Sequence, residues 1–257
     1  MPDTLPDYAV QNREAWTKSN ADHTDARAHE SWGEKPHWGV WHQPESDIRV
    51  LPDVTGLDVI ELGCGTAYWS AWLKRLGARR VVGVDVTPAQ LDTARRMDAE
   101  YRLGIELVEA NAEDVHLPEA SFDLAFSEYG ASIWCDPYKW IPEAARLLRS
   151  NGELMFMRHS DFVEVCSPDT DRISEKLERP LRGMLRLDWF SEDPPSTNFH
   201  ISDGDMFALL KRIGFDVVDF RQLYAPEDAV DHPFYSYVTA DWAKKWPHEE
   251  IWRARKA

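Results

Sequence analysis

The chain has 257 residues, of which 43% are hydrophobic, and this is enough to bury the core of one α/β domain with a modest addition. Acidic residues outnumber basic residues 45 to 29, and a formal charge of −16 repels phosphate backbones, so we expect no nucleic acid partner. The sequence has no apolar run of about eighteen residues, and its three cysteines form no CxxC pair or other metal-ligand pattern. We therefore expect a cytoplasmic protein with no membrane partner and no metal site.

The first segment, residues 1–51, is an N-terminal arm that carries several tryptophans. Its stretch GEKPHWGVWHQPE contains glycine and proline residues that prevent a long regular element. We expect this arm to close over a pocket as a lid, with Trp38 and Trp41 as its walls. The alternative is that these indole rings only anchor the arm to the domain by packing.

Short apolar runs and stretches with helical spacing then alternate along the chain, which predicts βαβα units and a parallel sheet. Five strands are predicted at Leu57–Leu62, Val81–Val84, Ile105–Val108, Phe122–Phe126 and Glu153–Met157, and two more at Phe215–Leu223 and Glu250–Ala254. The expected fold is α/β, a Rossmann-like, doubly wound, mostly parallel seven-stranded sheet with helices on both faces. We expect one domain over residues 1–257, with a cofactor-binding core at 52–158.

Helix boundaries are predicted from capping residues. Thr87-Pro88-Ala89-Gln90 has the pattern of a capping box, and Asp136-Pro137 that of an N-cap followed by proline. Glycines that follow helical spacing predict where helices end. On this basis helices are expected at Ala67–Leu76, Glu143–Ser150 and Met206–Ile213, ended by Gly77, Gly152 and Gly214 respectively.

A cap is predicted after the fifth strand, at residues 159–201, and residues 202–257 are expected to complete the sheet. The segment Tyr224–Pro247 is expected to join the cap. Neither part of this cap contains a basic run, so we expect a small, partly apolar acceptor and no polyanion.

The stretch DVIELGCGTAYWSAWL, residues 58–73, combines a strand, a glycine turn and a helix start. Such a turn exposes backbone N–H groups to a ligand at the edge of a parallel sheet. The third glycine of a dinucleotide fingerprint is replaced by Tyr68, which disfavours a pyrophosphate and a nicotinamide dehydrogenase. Glu61 suits a cationic ligand, and Asp85, at the end of the second strand, can accept ribose hydroxyls. Together these features favour S-adenosylmethionine.

The same residues resemble the class I S-adenosylmethionine-dependent methyltransferases of small molecules. Glu61-Leu62-Gly63-Cys64-Gly65-Thr66 matches the first motif of that family, and Asp85 matches its ribose acid. Two further motifs match. The adenine-side motif is matched by Asn111-Ala112-Glu113, Leu117-Pro118 and Phe122-Asp123, and the last motif by the block EAARLLRSNGELMF. Asn111 stands where the family usually has aspartate, so a neutral acceptor would hold the adenine amino group.

The resemblance implies a cofactor site along the carboxyl ends of the strands. The methionine moiety would lie by Gly63, Gly65 and Ala67, and its amino group would meet the backbone carbonyl of Ser127. The adenine edge would lie at Asn111-Ala112. The full predicted cofactor site is Glu61, Gly63, Cys64, Gly65, Ala67, Asp85, Val86, Gln90, Asn111, Ala112, Glu113, Ser127 and Trp41.

Methyl transfer from a sulfonium is an in-line displacement, so alignment and exclusion of water dominate and a general base is optional. His159 is the first candidate base because it follows the fifth strand, although it could also be a loop histidine bonded to backbone. Glu128 and Tyr129 follow the fourth strand, where the family places the transferred methyl group, or they form a helix-entry turn. His200 and His37 could reach the site from the cap and the arm.

The leading interpretation is methyl transfer to a small molecule. An RNA- or protein-directed methyltransferase and a non-catalytic partner that binds the cofactor are the alternatives. Asp136-Pro137-Tyr138 does not match the Asp-Pro-Pro-Tyr motif of amino-methylating enzymes, because it has one proline and N-capping explains it. The acceptor atom and the oligomeric state stay open.

Overall fold

A computed structural model of the chain describes residues 5–22, 25–169, 172–191, 194–233 and 235–257. The remaining positions belong to the predicted arm, the cap and the Tyr224–Pro247 segment, and expectations for them lie outside the described residues. The elements in chain order are α1 (Asp7–Asp22), α2 (Asp25–Gly33), β1 (His37–Trp38), β2 (Gln43–Pro44), α3 (Glu45–Ile48), β3 (Asp58–Leu62), α4 (Tyr68–Arg75), β4 (Arg80–Asp85), α5 (Pro88–Tyr101), β5 (Glu106–Glu109), β6 (Phe122–Glu128), α6 (Ala131–Trp134), α7 (Pro137–Leu147), β7 (Leu148–His159), α8 (Asp161–Cys166), β8 (Arg186–Trp189), β9 (Ser196–Phe199), α9 (Asp203–Ile213), β10 (Phe215–Leu223), α10 (Ala240–Ala243) and β11 (Glu249–Lys256).

A seven-stranded sheet forms the centre, in the order β10-β11-β7-β6-β3-β4-β5. The strands β7, β6, β3, β4 and β5 pair in parallel, in that order across the sheet, whereas β11 runs antiparallel to both of its neighbours, β7 and β10. Two large clusters of buried apolar residues belong to this sheet and its helices. The predicted doubly wound α/β fold is therefore confirmed, and all seven predicted strands form.

The antiparallel direction of β11 positions part of the site. Parallel strands present their carboxyl ends at one edge, and β11 presents its amino end at that same edge. His248 and Glu249 therefore lie beside the end of β7, where Glu249 pairs with His159.

One predicted helix end is wrong. The helix expected at Glu143–Ser150 is α7, which ends at Leu147, and β7 begins at the next residue. Gly152 lies inside β7, where a Cβ would lie 3.0 Å from the carbonyl oxygen of Arg149. The glycine thus permits a close backbone approach in a strand and does not end a helix.

The capping box predicted at Thr87 is also wrong. Thr87 is the N-cap of α5, and proline follows it, but its side chain makes no capping hydrogen bond. Its backbone N–H donates to Oδ1 of Asp85 instead. By contrast, Asp136 accepts from the N–H of Tyr138 and Gly214 takes the left-handed conformation after α9, as predicted.

The arm contains two helices, α1 and α2, that the sequence analysis did not predict, and the short hairpin β1–β2 occupies its glycine- and proline-rich stretch. Asn12 of α1 donates to the carbonyl of Thr197 in the cap and accepts from its N–H, both at 2.8 Å. This two-bond contact holds the arm against the cap hairpin β8–β9. Among the described residues, every helix is too short or too polar to cross a bilayer.

Candidate functional site

A cavity of about 1000 Å³ lies over the carboxyl ends of β3 to β7. We call the part contributed by residues 61–112 the cofactor half. The acceptor half comprises the lining residues from 128 onward and those of the arm. The cavity is therefore assembled from the sheet edge, the arm and the cap.

The glycine turn after β3 is shaped by close backbone packing. Gly63 has φ of +76°, and a Cβ there would lie 2.5 Å from the backbone nitrogen of Ala131 and 2.6 Å from Cα of Gly130. Side chains at Gly63 or Gly130 are thus excluded, because each glycine faces the other turn's backbone.

The backbone N–H groups of this turn are not free for a ligand, contrary to expectation. Those of Gly63 and Cys64 donate to the carbonyl of Val84, at 2.8 and 2.9 Å, and that of Gly65 donates to Asp85. The parallel pairing with β4 simply continues into the turn. Recognition here must rely on carbonyls, shape and carboxylates.

Asp85 holds both sides of the cofactor half together. Its Oδ2 accepts from the N–H of Gly65 and its Oδ1 from the N–H of Thr87, each at 2.8 Å. Its side chain still lines the cavity, and each carboxylate oxygen can accept a further hydrogen bond. The position matches the predicted ribose acid.

Buried carboxyl groups give the cavity its electrostatic character. Burial raises the pKa of Glu61 to about 8, and Ser70 donates to its Oε2. Burial likewise raises the pKa of Glu128 to about 7, and Tyr68 donates to its Oε2 at 2.6 Å. A cationic ligand beside these groups would favour their ionised forms, and a phosphate would oppose them.

Most of the predicted cofactor residues line the cavity, namely Glu61, Gly63, Cys64, Gly65, Asp85, Val86, Gln90, Asn111 and Ala112. The side chain of Gln90 lies against Gly65, where a Cβ would come within 2.5 Å of Oε1. Oδ1 of Asn111 accepts from the N–H of Glu113 at 3.1 Å, which fixes the turn after β5. This acidic lining fits S-adenosylmethionine, which carries positive charge and no phosphate.

Four predicted cofactor residues lie outside the cavity lining, and these assignments are corrected. Glu113 accepts from the hydroxyl of Tyr8 and the N–H of Asp136, so its carboxylate anchors the arm. Ala67 is fully buried as the left-handed N-cap of α4.

The correction for Ser127 concerns its side chain alone, since its Oγ donates to the carbonyl of Leu62 at 2.8 Å. The contact predicted for its backbone carbonyl stays a prediction. Trp41 lies at a separate shallow pocket, donating to the carbonyl of Val230 and packing edge-on against His248. Trp38, the other predicted wall, is fully buried against Trp69. Both indole rings therefore anchor the arm by packing, as the alternative prediction states.

The acceptor half contains a hydrogen-bonded chain of three side chains. Nδ1 of His159 lies 2.9 Å from Oε1 of Glu164, and its Nε2 lies 3.0 Å from the hydroxyl of Tyr237. Burial alone would raise the pKa of Glu164, but the hydrogen bond from His159 outweighs it and the pKa is lowered. An ionised Glu164 fixes the His159 proton on Nδ1, which leaves Nε2 to accept from Tyr237.

Tyr129 lies beside these three hydrogen-bonded side chains. Its φ is +50°, a strained conformation for an aromatic residue. Its hydroxyl donates to Glu249, which also accepts from the N–H of Val40 at 2.8 Å. Gly39 packs directly on that carboxylate. The predicted candidates Glu128, Tyr129 and His159 all line the cavity, and their catalytic roles stay predictions. Sequence reasoning did not name Glu164 and Tyr237, which also line it, or Glu249, which contacts Tyr129 from outside the lining.

The two remaining candidate histidines lie apart. His200 is buried outside the cavity, 2.7 Å from Oδ1 of Asp161, and burial followed by repulsion from Arg158 lowers its pKa. It is therefore excluded as a base that contacts an acceptor. His37 lines the cavity with Glu34 and His42.

Known methyltransferases are similar to this chain over part of its length. Residues 60–156 match the methyltransferase domain family, a span that contains the motifs from Glu61 to Phe156 and confirms the resemblance. The 2-methyl-6-phytyl-1,4-hydroquinone methyltransferase 2, chloroplastic, of Oryza sativa subsp. japonica is 35% identical over 118 residues, 44% of this chain and 33% of that protein. The 27-O-demethylrifamycin SV methyltransferase of Amycolatopsis mediterranei (strain S699) is 27% identical over 165 residues, 56% of this chain and 59% of that protein.

The chain thus spans between a third and three fifths of the length of these two curated relatives. Among solved structures, an S-adenosylmethionine dependent methyltransferase from Mesorhizobium loti superimposes with a TM-score of 0.66 at 23% identity. That superposition covers 82% of this chain and 96% of the other, and it shows a shared fold.

Proposed function

We propose that this chain, whose residues 60–156 belong to the class I S-adenosylmethionine-dependent methyltransferases, transfers a methyl group from S-adenosylmethionine to a small-molecule acceptor. One observation carries the proposal. A single cavity runs from Asp85, at the predicted ribose position, to Tyr237 and His159 in the acceptor half.

The charge of the cavity supports the choice of cofactor. The buried carboxyl groups of Glu61 and Glu128 and the half-buried one of Asp85 line it. S-adenosylmethionine brings a sulfonium and an ammonium to such a surface. The same carboxyl groups would repel the pyrophosphate of a dinucleotide. S-adenosylmethionine supplies an electrophilic methyl group, and the protein aligns the acceptor and excludes water.

The side chains of the acceptor half support proton removal from a hydroxyl acceptor. The hydroxyl of Tyr237 donates to Nε2 of His159, so its oxygen is available to accept the acceptor's proton while its own proton moves to His159. Burial raises the pKa of Tyr237 well above its usual range, which favours a concerted transfer over a free tyrosinate. His159 therefore serves as the base through Tyr237, and Glu164 stabilises the resulting imidazolium.

The cavity volume supports a small acceptor. About 1000 Å³ is at the upper end of ordinary ligand pockets, which hold roughly 300–1,000 Å³. Such a volume admits the cofactor and a small molecule side by side. A formal charge of −16 disfavours an RNA substrate.

The test has two stages. Calorimetric titration should show binding of S-adenosylmethionine and none of NAD, and NAD binding alone would contradict the proposal. Methyl-labelled cofactor and the protein are then incubated with a metabolite extract, an RNA fraction and a protein fraction. Label in a small molecule supports the proposal, whereas label confined to RNA or protein, or binding without transfer to any fraction, overturns it.

A further inference from the structure

The arm brings two histidines and a glutamate together at the cavity, outside the residues used for methyl transfer. Glu34 follows α2, His37 is in β1 and His42 precedes β2, so nine residues of chain supply all three. One potential ligand atom from each lies within 4.8 Å of the others. We propose that Glu34, His37 and His42 form a binding site for a divalent transition-metal ion, and that zinc fits it best.

The ligand chemistry favours zinc over magnesium or calcium. Imidazole nitrogens suit zinc and its neighbours in the first transition series, whereas magnesium and calcium prefer sites made of oxygen. Two histidines with one carboxylate make a three-ligand set that leaves a fourth position open. All three residues line the cavity, so the open position would meet its contents.

The geometry requires a ring rotation, because the stacked His37 and His42 rings lie nearly parallel and their nitrogen lone pairs lie in the ring planes. Zinc bonds nitrogen and oxygen at roughly 2.0–2.2 Å, so ligand atoms around a tetrahedral ion lie about 3.4 Å apart. Nε2 of His37 already lies 2.9 Å from Oε2 of Glu34. The His37 and His42 rings stack with centroids 4.0 Å apart, and His42 is exposed and able to rotate.

An independent observation points to a missing partner. Nδ1 of His37 is buried and has no hydrogen-bond partner within the part of the chain that the structure describes. A buried polar atom without a partner is costly, and a metal ion is one partner that a neutral imidazole nitrogen accepts. Because Nε2 now faces Glu34, the His37 ring has to turn over for Nδ1 to reach a metal ion shared with Glu34 and His42.

A bound ion would join the end of α2 to the β1–β2 hairpin. These two parts of the arm lie at the cavity, and an ion between them would fix the arm's position without touching the chain of Tyr237, His159 and Glu164. The proposal concerns metal binding alone, and it stands or falls independently of methyl transfer.

Metal binding is measured on metal-free protein without a histidine tag, by competing zinc chloride against a chromophoric chelator. We expect one ion per chain, with affinity lowered at least about tenfold in Glu34→Gln, His37→Phe and His42→Asn. Phenylalanine keeps the ring stack of His37, and asparagine tolerates the left-handed backbone of His42. His116→Asn alters an exposed histidine elsewhere and should bind as the parent does.

Two controls keep the result decisive. Melting curves without metal establish that each variant folds, and zinc should raise the melting temperature of the parent and of His116→Asn only. Cobalt(II), added in place of zinc, should give one visible absorption band that is lost in the same three variants. Absence of saturable binding at one ion per chain, or equal affinity in all three folded variants, overturns the proposal.

Discussion

The two halves of the cavity differ in how the chain builds them. The cofactor half comes from consecutive strand ends within residues 61–112, and backbone pairing, glycine turns and one carboxylate define its shape. The acceptor half joins the arm, α8, the cap and residues 235–237, across more than 200 residues. The first half is fixed by local structure, while the second depends on tertiary packing.

The largest expected effect is on the turn that both halves share. Gly63→Ala adds a Cβ where backbone lies at 2.5 Å, and it also strains a positive φ. We expect a loss of about 4 kcal/mol of unfolding free energy, or failure to fold, from overpacking combined with left-handed strain.

Gly56→Ala is the matched control for that loss. Gly56 has φ of +75°, but nothing lies within 4 Å of its Cβ position, so only strain of about 1–2 kcal/mol is expected. Chemical denaturation of both variants measures the difference. Equal losses would show that the contact with Gly130 does not constrain the turn.

The acceptor half is tested next. Tyr237→Phe removes the hydroxyl that donates to His159, and we expect kcat to fall about a hundredfold with little change in cofactor affinity. Tyr224→Phe, at an exposed tyrosine of the same segment, should leave kcat unchanged. A Tyr237 variant with the parent's kcat would leave alignment alone as the source of rate.

A change in the cofactor half should instead lower the affinity for the cofactor. Asp85→Asn replaces one of two carboxylate oxygens that accept backbone N–H groups with an NH2 group that cannot accept, and it weakens the predicted ribose contact. We expect cofactor affinity to fall about thirtyfold, which corresponds to about 2 kcal/mol for hydrogen bonds to a charged group. Calorimetry measures this, and unchanged affinity would remove Asp85 from the site.

The dependence on pH sharpens the contrast further. Burial raises the pKa of Glu61 to about 8 and of Glu128 to about 7, from 4.5, so the folded chain retains protons that the unfolded chain has released. The stability of the ligand-free protein should therefore fall as pH rises from about 5 to about 8. Cofactor binding should tighten over the same interval, because ionised carboxylates then face a cation.

Glu128→Gln should flatten the part of both profiles near pH 7. Glu109→Gln, which alters an exposed glutamate at the end of β5, is the control. Thermal melting and calorimetry between pH 5.5 and 8.5 provide the measurements. Profiles of Glu128→Gln that overlie those of the parent would mean that Glu128 is already ionised in the folded protein.

The smallest effect is expected where the arm meets the cap. Asn12→Ala removes both hydrogen bonds to the backbone of Thr197 and should cost about 1–2 kcal/mol. Faster amide exchange in α1 and a severalfold change in kcat should follow. Gln11→Ala loses one longer bond, at 3.4 Å, and should behave as the parent does. Equal exchange in both variants would contradict a holding role for Asn12.

The sequence predicts features that local structure determines better than features that depend on tertiary packing. The strands, Asp85 and the glycine turn carry signals within windows of about twenty residues. The fold and the matched family confirm the strands and the resemblance, and the role of Asp85 stays a prediction. Glu249 lies 120 residues from Tyr129, and Tyr237 lies 78 residues from His159, so no local spacing connects them.

The errors have the same physical origin. Trp41 and Glu113 carry side chains suited to a site, but contacts with distant residues commit them elsewhere. The two arm helices were missed because α1 and α2 are polar overall. The predicted N-cap at Asp136 is confirmed, because its side chain bonds to Tyr138, only two residues away.

The contact between Gly63 and Gly130 has a practical consequence for redesign. Main chain meets main chain there, so the spacing between the floor of the methyl-donor region and the adjoining acceptor region does not depend on any side chain. Cap and arm residues can accordingly be exchanged to admit new acceptors while the donor region keeps its geometry. Randomised libraries should leave these two glycines untouched and sample the lining contributed by Trp189, Asn198 and Tyr235.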